Sequence, residues 1–337
     1  MNQLLVSVII VARNEARYIV SCLESVYAQF GPQDNWELLL VDSNSTDSTL
    51  ALAVEYLSAH SVNYTVINNP ELLLATGWNL GIKSAKGKFV IRPDAHARLG
   101  TDYINTAIRI LESKPEAAAA GGVLNTCATT AMGKIIREAL TMKTGVGNSS
   151  FRTGAPAGYY DTVVYGLYRR TLFEDVGLFN EKLIRHQDTE MHHRIRMSGK
   201  KFYLEPEISA DYYCRDSLNG LLSQMHDIGY YFSYLVEAGA LSSLSWRHRL
   251  PFLFYSMLTL LLILGFIFPF SFYAAAFIFV FYLTVITAEA FFRALNNQDA
   301  KILFTVIIIP LMHSAYAWGT FKGSIRLLNR KHNESAK

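Results

Sequence analysis

Between Pro251 and Ala288 lie 38 residues without one Asp, Glu, Lys or Arg. A helix that crosses the hydrocarbon core needs about 20 mostly apolar residues. The run is therefore long enough for two crossings, with a turn expected near Phe268–Ser271, where Pro269 falls. A soluble core helix would carry charge on its outer face, and this run carries none. A third apolar segment, Ile302–Phe321, has Pro310 and His313 inside it and is the weaker candidate.

The flanking charges orient the hairpin. Trp246-Arg247-His248-Arg249 precedes the first crossing, and Arg293 and Lys301 bracket the loop after the second. The excess of basic residues in cytoplasmic loops puts both on the cytoplasmic side. Lys322, Arg326, Arg330 and Lys331 then pose a conflict, because a third crossing would carry them outside. The third segment either breaks the rule, re-enters, or lies in the interface.

The N-terminal two-thirds reads as a soluble α/β protein. Strands are expected at Leu5–Val11, Glu37–Val41, Asn63–Ile67 and Phe89–Arg92, with helices at Ala16–Ala28, Ser48–His60 and Thr76–Ala85 between them. Continuous apolar strands separated by helices indicate a parallel sheet covered on both faces. Gly121–Asp161, rich in Gly, Ser, Thr and Ala, reads as a long loop with weak helical content near Met132–Met142. Val163–Tyr168 resumes as a strand and Asp188–Met197 as a helix. The apolar run Leu4–Val11 is too short for a signal peptide and is followed at once by Arg13, Glu15 and Arg17, so the N-terminal domain is expected to stay in the cytoplasm. Cys22, Cys127 and Cys214 are far apart and fit free thiols in a reducing compartment. A net charge of +3, with Lys and Arg scattered, gives no case for a nucleic-acid partner.

Ligands in open parallel sheets bind beyond the carboxyl ends of the strands, which directs attention to three turns. Asp42 ends the second strand and can accept hydrogen bonds from a ribose or base, while Asp47 is placed to cap the next helix. Asp94-Ala95-His96 follows the fourth strand, and an Asp and a His two apart can face one divalent cation on a diphosphate. Asp188 would begin a helix, where the dipole favours its ionised form and suits it to general-base work. His186, His192 and His193 invite a zinc reading, but the adjacent pair points to different helix faces and no H-E-x-x-H occurs. The turn Ala12-Arg13-Asn14-Glu15 lacks the glycines of a dinucleotide-binding loop, and no Walker A loop is present.

Taken together, these residues resemble the family 2 inverting glycosyltransferases of GT-A fold over roughly Val6–Tyr213. The resemblance rests on Val8–Glu15 as the opening strand with its N-E turn, on Val41–Thr49 as the V-D-x-x-S-x-D-x-T signature, and on Asn79-Leu80-Gly81 with Ala85-Lys86-Gly87. Asp94-Ala95-His96 occupies the place of the D-x-D metal motif, and Gln187-Asp188 that of the catalytic E-D pair. Arg152-Thr153-Gly154, Tyr168-Arg169-Arg170 and Val176–Glu181 are similar to the branch typified by the succinoglycan-synthesis glycosyltransferase.

The resemblance implies a GT-A domain with a mostly parallel sheet, followed by transmembrane helices, in an inner-membrane, multi-pass protein. It implies Asp188 as catalytic base, Ala12, Glu15, Asp42, Asn79 and Asp94 against the nucleotide, and Asp94 and His96 on Mn2+ or Mg2+. The implied donor is a nucleotide-sugar, most simply a UDP-sugar. The implied acceptor is a polyprenyl-diphosphate-linked glycan at the lipid surface, in exopolysaccharide or cell-surface glycan synthesis. Gln224–Ile228 lacks the Arg and Trp of the processive Q-x-x-R-W motif, so the enzyme is expected to be non-processive. His96 in place of a second acid keeps open an alternative, a membrane-tethered binding or assembly protein with a degenerate site. The expected division is 1–215 transferase, 216–249 interfacial linker, 250–325 membrane domain and 326–337 basic tail.

Overall fold

The computed structural model describes residues 5–31 and 34–335. The chain divides into two compact units, one comprising the chain up to Asn125 with Ser150–Tyr213, the other Thr126–Ser149 with the chain from Cys214 onward.

The first unit is an α/β sheet protein. Its strands are β1 (Val6–Ala12), β2 (Trp36–Asp42), β3 (Tyr64–Asn68), β4 (Phe89–Ile91), β5 (Arg98–Leu99), β6 (Ala117–Cys127), β7 (Gly158–Tyr160), β8 (Val164–Arg169) and β9 (Lys201–Tyr213). Its helices are α1 (Ile19–Tyr27), α2 (Thr49–Ala59), α3 (Leu74–Ser84) and α4 (Tyr103–Ser113), and, after α5 and α6 of the second unit, α7 (Leu172–Val176) and α8 (Gln187–Met197). The sheet order is β3-β2-β1-β4-β8-β6-β9-β5, with β7 also on β9. β3, β2, β1 and β4 run parallel, β8 pairs antiparallel with β4 and β6, and β9 pairs antiparallel with β5 and β7.

β1 shows why these residues make a central strand. Val6, Val8 and Ile10 enter one apolar core with α1, α2 and α4, while Ile9 enters the other with α3 and α8. Alternate side chains leave a strand on opposite faces, so a strand covered twice must be apolar at every position. The exception is Ser7, whose hydroxyl donates to Glu37 Oε1 at 2.6 Å and accepts from the Gly87 amide at 2.8 Å, while Glu37 Oε1 also accepts from the Lys86 amide at 2.7 Å. A Cβ on Gly87 would lie 2.5 Å from the Ser7 nitrogen, so the A-x-G stretch is a packing requirement of this buried polar knot.

One expected loop is corrected. Ala117–Cys127 is an eleven-residue strand, not the start of a loop at Gly121. Its run of Ala and Gly has neither β-branched residues nor alternation, so nothing in it signals a strand.

The second unit is helical. It contains α5 (Ala131–Thr141), α6 (Lys143–Val146), α9 (Leu218–Tyr230), α10 (Phe232–Glu237), α11 (Trp246–Leu264), α12 (Phe270–Asn297) and α13 (Thr305–Ser335). α11 and α12 form the expected pair, separated by a turn that contains Pro269. Three helical stretches here are long and apolar enough to cross a membrane. α13 continues helically to Ser335 through residues expected as a polar tail, of which 336 and 337 lie outside the described residues.

Candidate active site

β1, β2 and β3 end together, while β4 ends level with Val8, and a cleft of about 280 Å³ is lined by Ala12, Arg13, Glu15, Ser43, Asp94 and His96 among others. Ala12 and Asp42, the last residues of β1 and β2, are in register. Ser43 N donates to the Ala12 carbonyl at 2.9 Å, which carries the pairing one residue further.

The two turns at this edge are tied to each other. Asn14 sits in the left-handed region at φ 56°. Its amide donates to Ser45 Oγ at 3.2 Å and its side-chain oxygen accepts from the Thr46 amide at 2.8 Å. The Glu15 amide donates to Thr49 Oγ1 at 2.7 Å, and the Ala16 amide to Asp47 Oδ2 at 3.2 Å. Asp47 Oδ1 also accepts from the Thr49 amide and hydroxyl, and the Thr49 bonds hold its carboxyl below the usual carboxylate range. The N-cap of α2 is Ser48 rather than Asp47. Asp47 serves the helix from one position earlier and spends its second oxygen on the N-E turn. Ser45, Asp47 and Thr49 of the signature thus fix the backbone that carries Glu15. Asp42 accepts from the Ser45 amide at 3.2 and 3.4 Å through its two oxygens.

Glu15 and His96, expected at different parts of the ligand, meet directly, with Glu15 Oε1 3.0 Å from His96 Nδ1. Asp94 is held from the other side, its Oδ2 accepting from the Tyr165 hydroxyl at 3.0 Å. Tyr165 itself stands at φ 43°, an uncommon backbone state for an aromatic residue. Burial pushes the Asp94 carboxyl above its ordinary value, against the pull of His96, the Tyr165 hydrogen bond and Arg92. Among the described residues no group of three or more His, Cys, Asp or Glu is arranged to hold a metal. One carboxylate and one imidazole nevertheless suit an ion that takes its remaining ligands from a bound diphosphate, because Mg2+ and its analogues are held by one or two carboxylates with substrate phosphates and water. A cation there would also offset the cost of ionising a buried Asp94.

Asp188 is the second residue of α8, whose N-cap His186 is left-handed at φ 66°. Its carboxylate is half-exposed and ion-paired to Arg92 Nη2, while the Arg92 side chain is only 7% exposed. The guanidinium lies 3.9 Å from the centroid of Trp78 and 4.5 Å from that of Phe179, so aromatic faces fix its plane. Arg92 and Asp188 both act on the Asp94 carboxyl, the first lowering and the second raising it. Arg92 and Tyr165 were not singled out in the sequence. The available signal was an arginine closing an otherwise apolar strand, two residues before Asp94.

Of the candidate residues, Asp42, Asn79 and Asp188 do not line the cleft. Asn79 is buried, with its amide nitrogen on the Phe179 carbonyl at 2.9 Å and Glu181 at 2.7 Å, and its oxygen on the Phe179 amide at 2.9 Å. It anchors the loop that carries Phe179 onto Arg92. Glu190 binds Arg194, which also donates to the Leu178 carbonyl at 2.8 Å. His192 is enclosed between the Thr162 and Tyr168 hydroxyls at 2.6 and 2.7 Å, and burial pushes its imidazole down to about 3. It is a neutral core residue.

The model of "Glycosyl transferase family 2" matches residues 7–177. Over 327 residues the chain is 31% identical to the dolichyl N-acetyl-alpha-D-glucosaminyl phosphate 3-beta-D-2,3-diacetamido-2,3-dideoxy-beta-D-glucuronosyltransferase of Methanococcus voltae, covering 95% of this chain and 97% of the relative. It is 26% identical to the succinoglycan biosynthesis protein ExoA of Rhizobium meliloti over 67% of each chain. Among solved structures, the mannosyltransferase PcManGT of Pyrobaculum calidifontis, in complex with GDP-Man and Mn2+, superposes with a TM-score of 0.59 at 17% identity, over 95% of this chain and 86% of the other, a likeness of fold.

Proposed function

Because the chain belongs to glycosyl transferase family 2, we propose that its first unit transfers a sugar from a UDP-sugar to a lipid-linked glycan, with inversion, in one displacement and without processive elongation. The observation that carries this reading is the half-exposed Asp188 carboxylate, set at a helix N-terminus by a buried arginine and electrostatically coupled to Asp94. Asp188 takes the proton from an acceptor hydroxyl as that oxygen attacks the anomeric carbon, and the nucleoside diphosphate leaves from the opposite face. Ala12, Glu15 and Asp42 bind the nucleoside. A divalent cation, when bound, supplies positive charge for the departing diphosphate, and Asp94 and His96 are the residues that would hold it. Tyr165 orients the Asp94 carboxylate for that purpose.

The lipid-linked acceptor follows from the name of the Methanococcus relative together with the apolar helices. Exopolysaccharide or other cell-surface glycan synthesis is the setting suggested by the Rhizobium relative. The catalytic unit faces the cytoplasm of an inner-membrane protein on this reading, because nucleotide-sugars are made there and the basic residues at 247–249, 293 and 301 flank the hairpin on that side.

Losing a general base costs about 10² to 10⁴ in rate. Asp188→Asn, assayed with saturating donor, is expected to fall by that amount, and near wild-type turnover in a folded variant would remove Asp188 from the chemistry. Calorimetry with UDP, GDP and dTDP, with and without Mn2+, tests the base and the cation together. Tight binding of UDP that rises with Mn2+ is expected. Preference for GDP would overturn the uracil assignment, and indifference to metal would overturn the role of Asp94 and His96.

A further inference from the structure

The three apolar helices of the second unit are covered very unequally. In their most apolar stretches 6% of α11 and 17% of α12 is buried, against 44% for the stretch that contains α13. α11 and α12 therefore offer apolar side chains all round, as helices immersed in lipid do. α13 does not.

α13 meets α11 and α12 near its start, where the Tyr255 hydroxyl donates to the Pro310 carbonyl at 2.8 Å and the Tyr282 hydroxyl lies 2.8 Å from His313 Nδ1, but much of one face is packed by the less apolar helices α6, α9 and α10. His313 lies 2.9 Å from the Gly145 carbonyl of α6. Gly319 and Gly323 sit against α9, where an added Cβ would come within 2.0 Å of the His226 carbonyl and 2.4 Å of the Tyr230 carbonyl. Gly229 of α9 makes the reciprocal approach, its Cβ position 2.2 Å from the Tyr316 carbonyl. Further along, Arg326 and Arg330 pair with Glu237 of α10 at 3.0 and 3.2 Å. From residue 309 to residue 330 this packed face extends about 32 Å at 1.5 Å per residue, as long as the hydrocarbon core is thick, about 30 Å. If α13 crossed the bilayer, α9 and α10 would enter it too, with Asp227, His226 and Glu237, and charge at that depth is costly.

The opposite face is an exposed apolar stripe of Ile307, Leu311, Trp318, Phe321 and Ile325, preceded by Phe304 in the turn before the helix. The spacing of three and four keeps it on one side of the helix. Lys322, whose Nζ is 5.4 Å from the Trp318 ring, borders it. One protein-packed face, one apolar face and a basic margin with an aromatic ring are the pattern of a helix lying in the plane of the membrane surface.

We propose that α13 does not cross the membrane but lies along the leaflet that α11 and α12 enter, with the Ile307–Ile325 stripe seated at the headgroup–acyl boundary. The occupant is lipid because α13 packs on α11 and α12, whose own exposed side chains are almost all apolar, as the stripe's are. The proposal rests on the reading that those two helices cross. It removes the charge conflict, since Lys322, Arg326 and Arg330 then stay on the side of Arg293 and Lys301. The expected 250–325 membrane domain becomes, on this proposal, a two-helix crossing followed by a surface helix.

The side of the C-terminus is read by an epitope tag added to the otherwise unaltered chain, probed on intact and permeabilised cells. Reference sides come from single cysteines at Ser271 and Asn297, labelled with an impermeant thiol reagent. The tag is expected on the side of position 297 and opposite to 271, and a tag on the side of 271 would overturn the proposal. Labelling of 271 and 297 from one side would instead sink the crossing hairpin. The depth of Trp318 then decides for α13 independently, as the fluorescence difference between the chain and Trp318→Phe in proteoliposomes. Quenching is expected to be stronger with lipid brominated near the headgroup than near the chain ends. Stronger quenching by the deep label would show a crossing helix, and loss of all lipid quenching would assign the stripe to a second copy of the chain.

Discussion

In the proposed reaction, one buried side chain, Arg92, positions the catalytic carboxylate. A guanidinium held between Trp78 and Phe179 has its plane fixed, and with it the position of the Asp188 oxygen it binds. Arg92→Met leaves that carboxylate unanchored, so kcat is expected to fall by up to about 10²-fold, the scale of a small misplacement of a reacting group. KM for the donor should change little, and Arg92→Lys should recover only part of the loss because an ammonium neither stacks nor forks. A parallel rise in KM would show instead that Arg92 binds donor. His192 makes a second prediction. Folded, its imidazole stays neutral down to about 3, whereas its ordinary value is 6.5. Between those values the unfolded chain binds more protons, so stability rises with pH across the window and is lost as pH falls from 6.5. Urea unfolding of the wild type and His192→Asn at a series of pH values should show a shallower slope in the variant, at most by one proton, about 1.4 kcal/mol per pH unit. Equal slopes would contradict it.

At the scale of elements, the signature Val41–Thr49 does more than present an acid. Its Ser45, Asp47 and Thr49 hold the N-E turn through the amides of Asn14, Glu15 and Ala16. Asp47→Ala is expected to lower stability, because the start of α2 and the Ala16 amide each lose an acceptor, and also to weaken nucleotide binding, since the Thr49 hydroxyl that holds the Glu15 amide loses its partner. Denaturation and calorimetry on one preparation separate the two effects, and unchanged nucleotide affinity would reduce Asp47 to a cap. Much of this was legible in the sequence. The strands ending at Ala12 and Asp42 are apolar but for the paired Ser7 and Glu37 and the terminal Asp42, because both faces are covered, and the turn residues follow them directly. Ala117–Cys127 escaped because alanine and glycine carry no period. Arg92 escaped because its role depends on Phe179, 87 positions away, brought to it by a loop that Asn79 holds. Whether α13 crosses cannot be decided from composition, since an apolar count does not say which face is already covered.

For the whole molecule, the proposed function has the transferase anchored among lipid-linked acceptors, which it would meet in two dimensions, at raised effective concentration. In proteoliposomes with a fixed amount of acceptor, adding protein-free lipid to the same bilayers should lower the initial rate in proportion to surface dilution. A rate set only by bulk acceptor concentration would argue that the acceptor comes from solution. The central claim is that Asp188 activates an acceptor hydroxyl for a single displacement at the anomeric carbon of a nucleotide-sugar. The most direct measurement is the anomeric configuration of the first product, read by NMR during turnover of an α-linked UDP-sugar. A β-linked product is predicted, and an α-linked product would contradict the account.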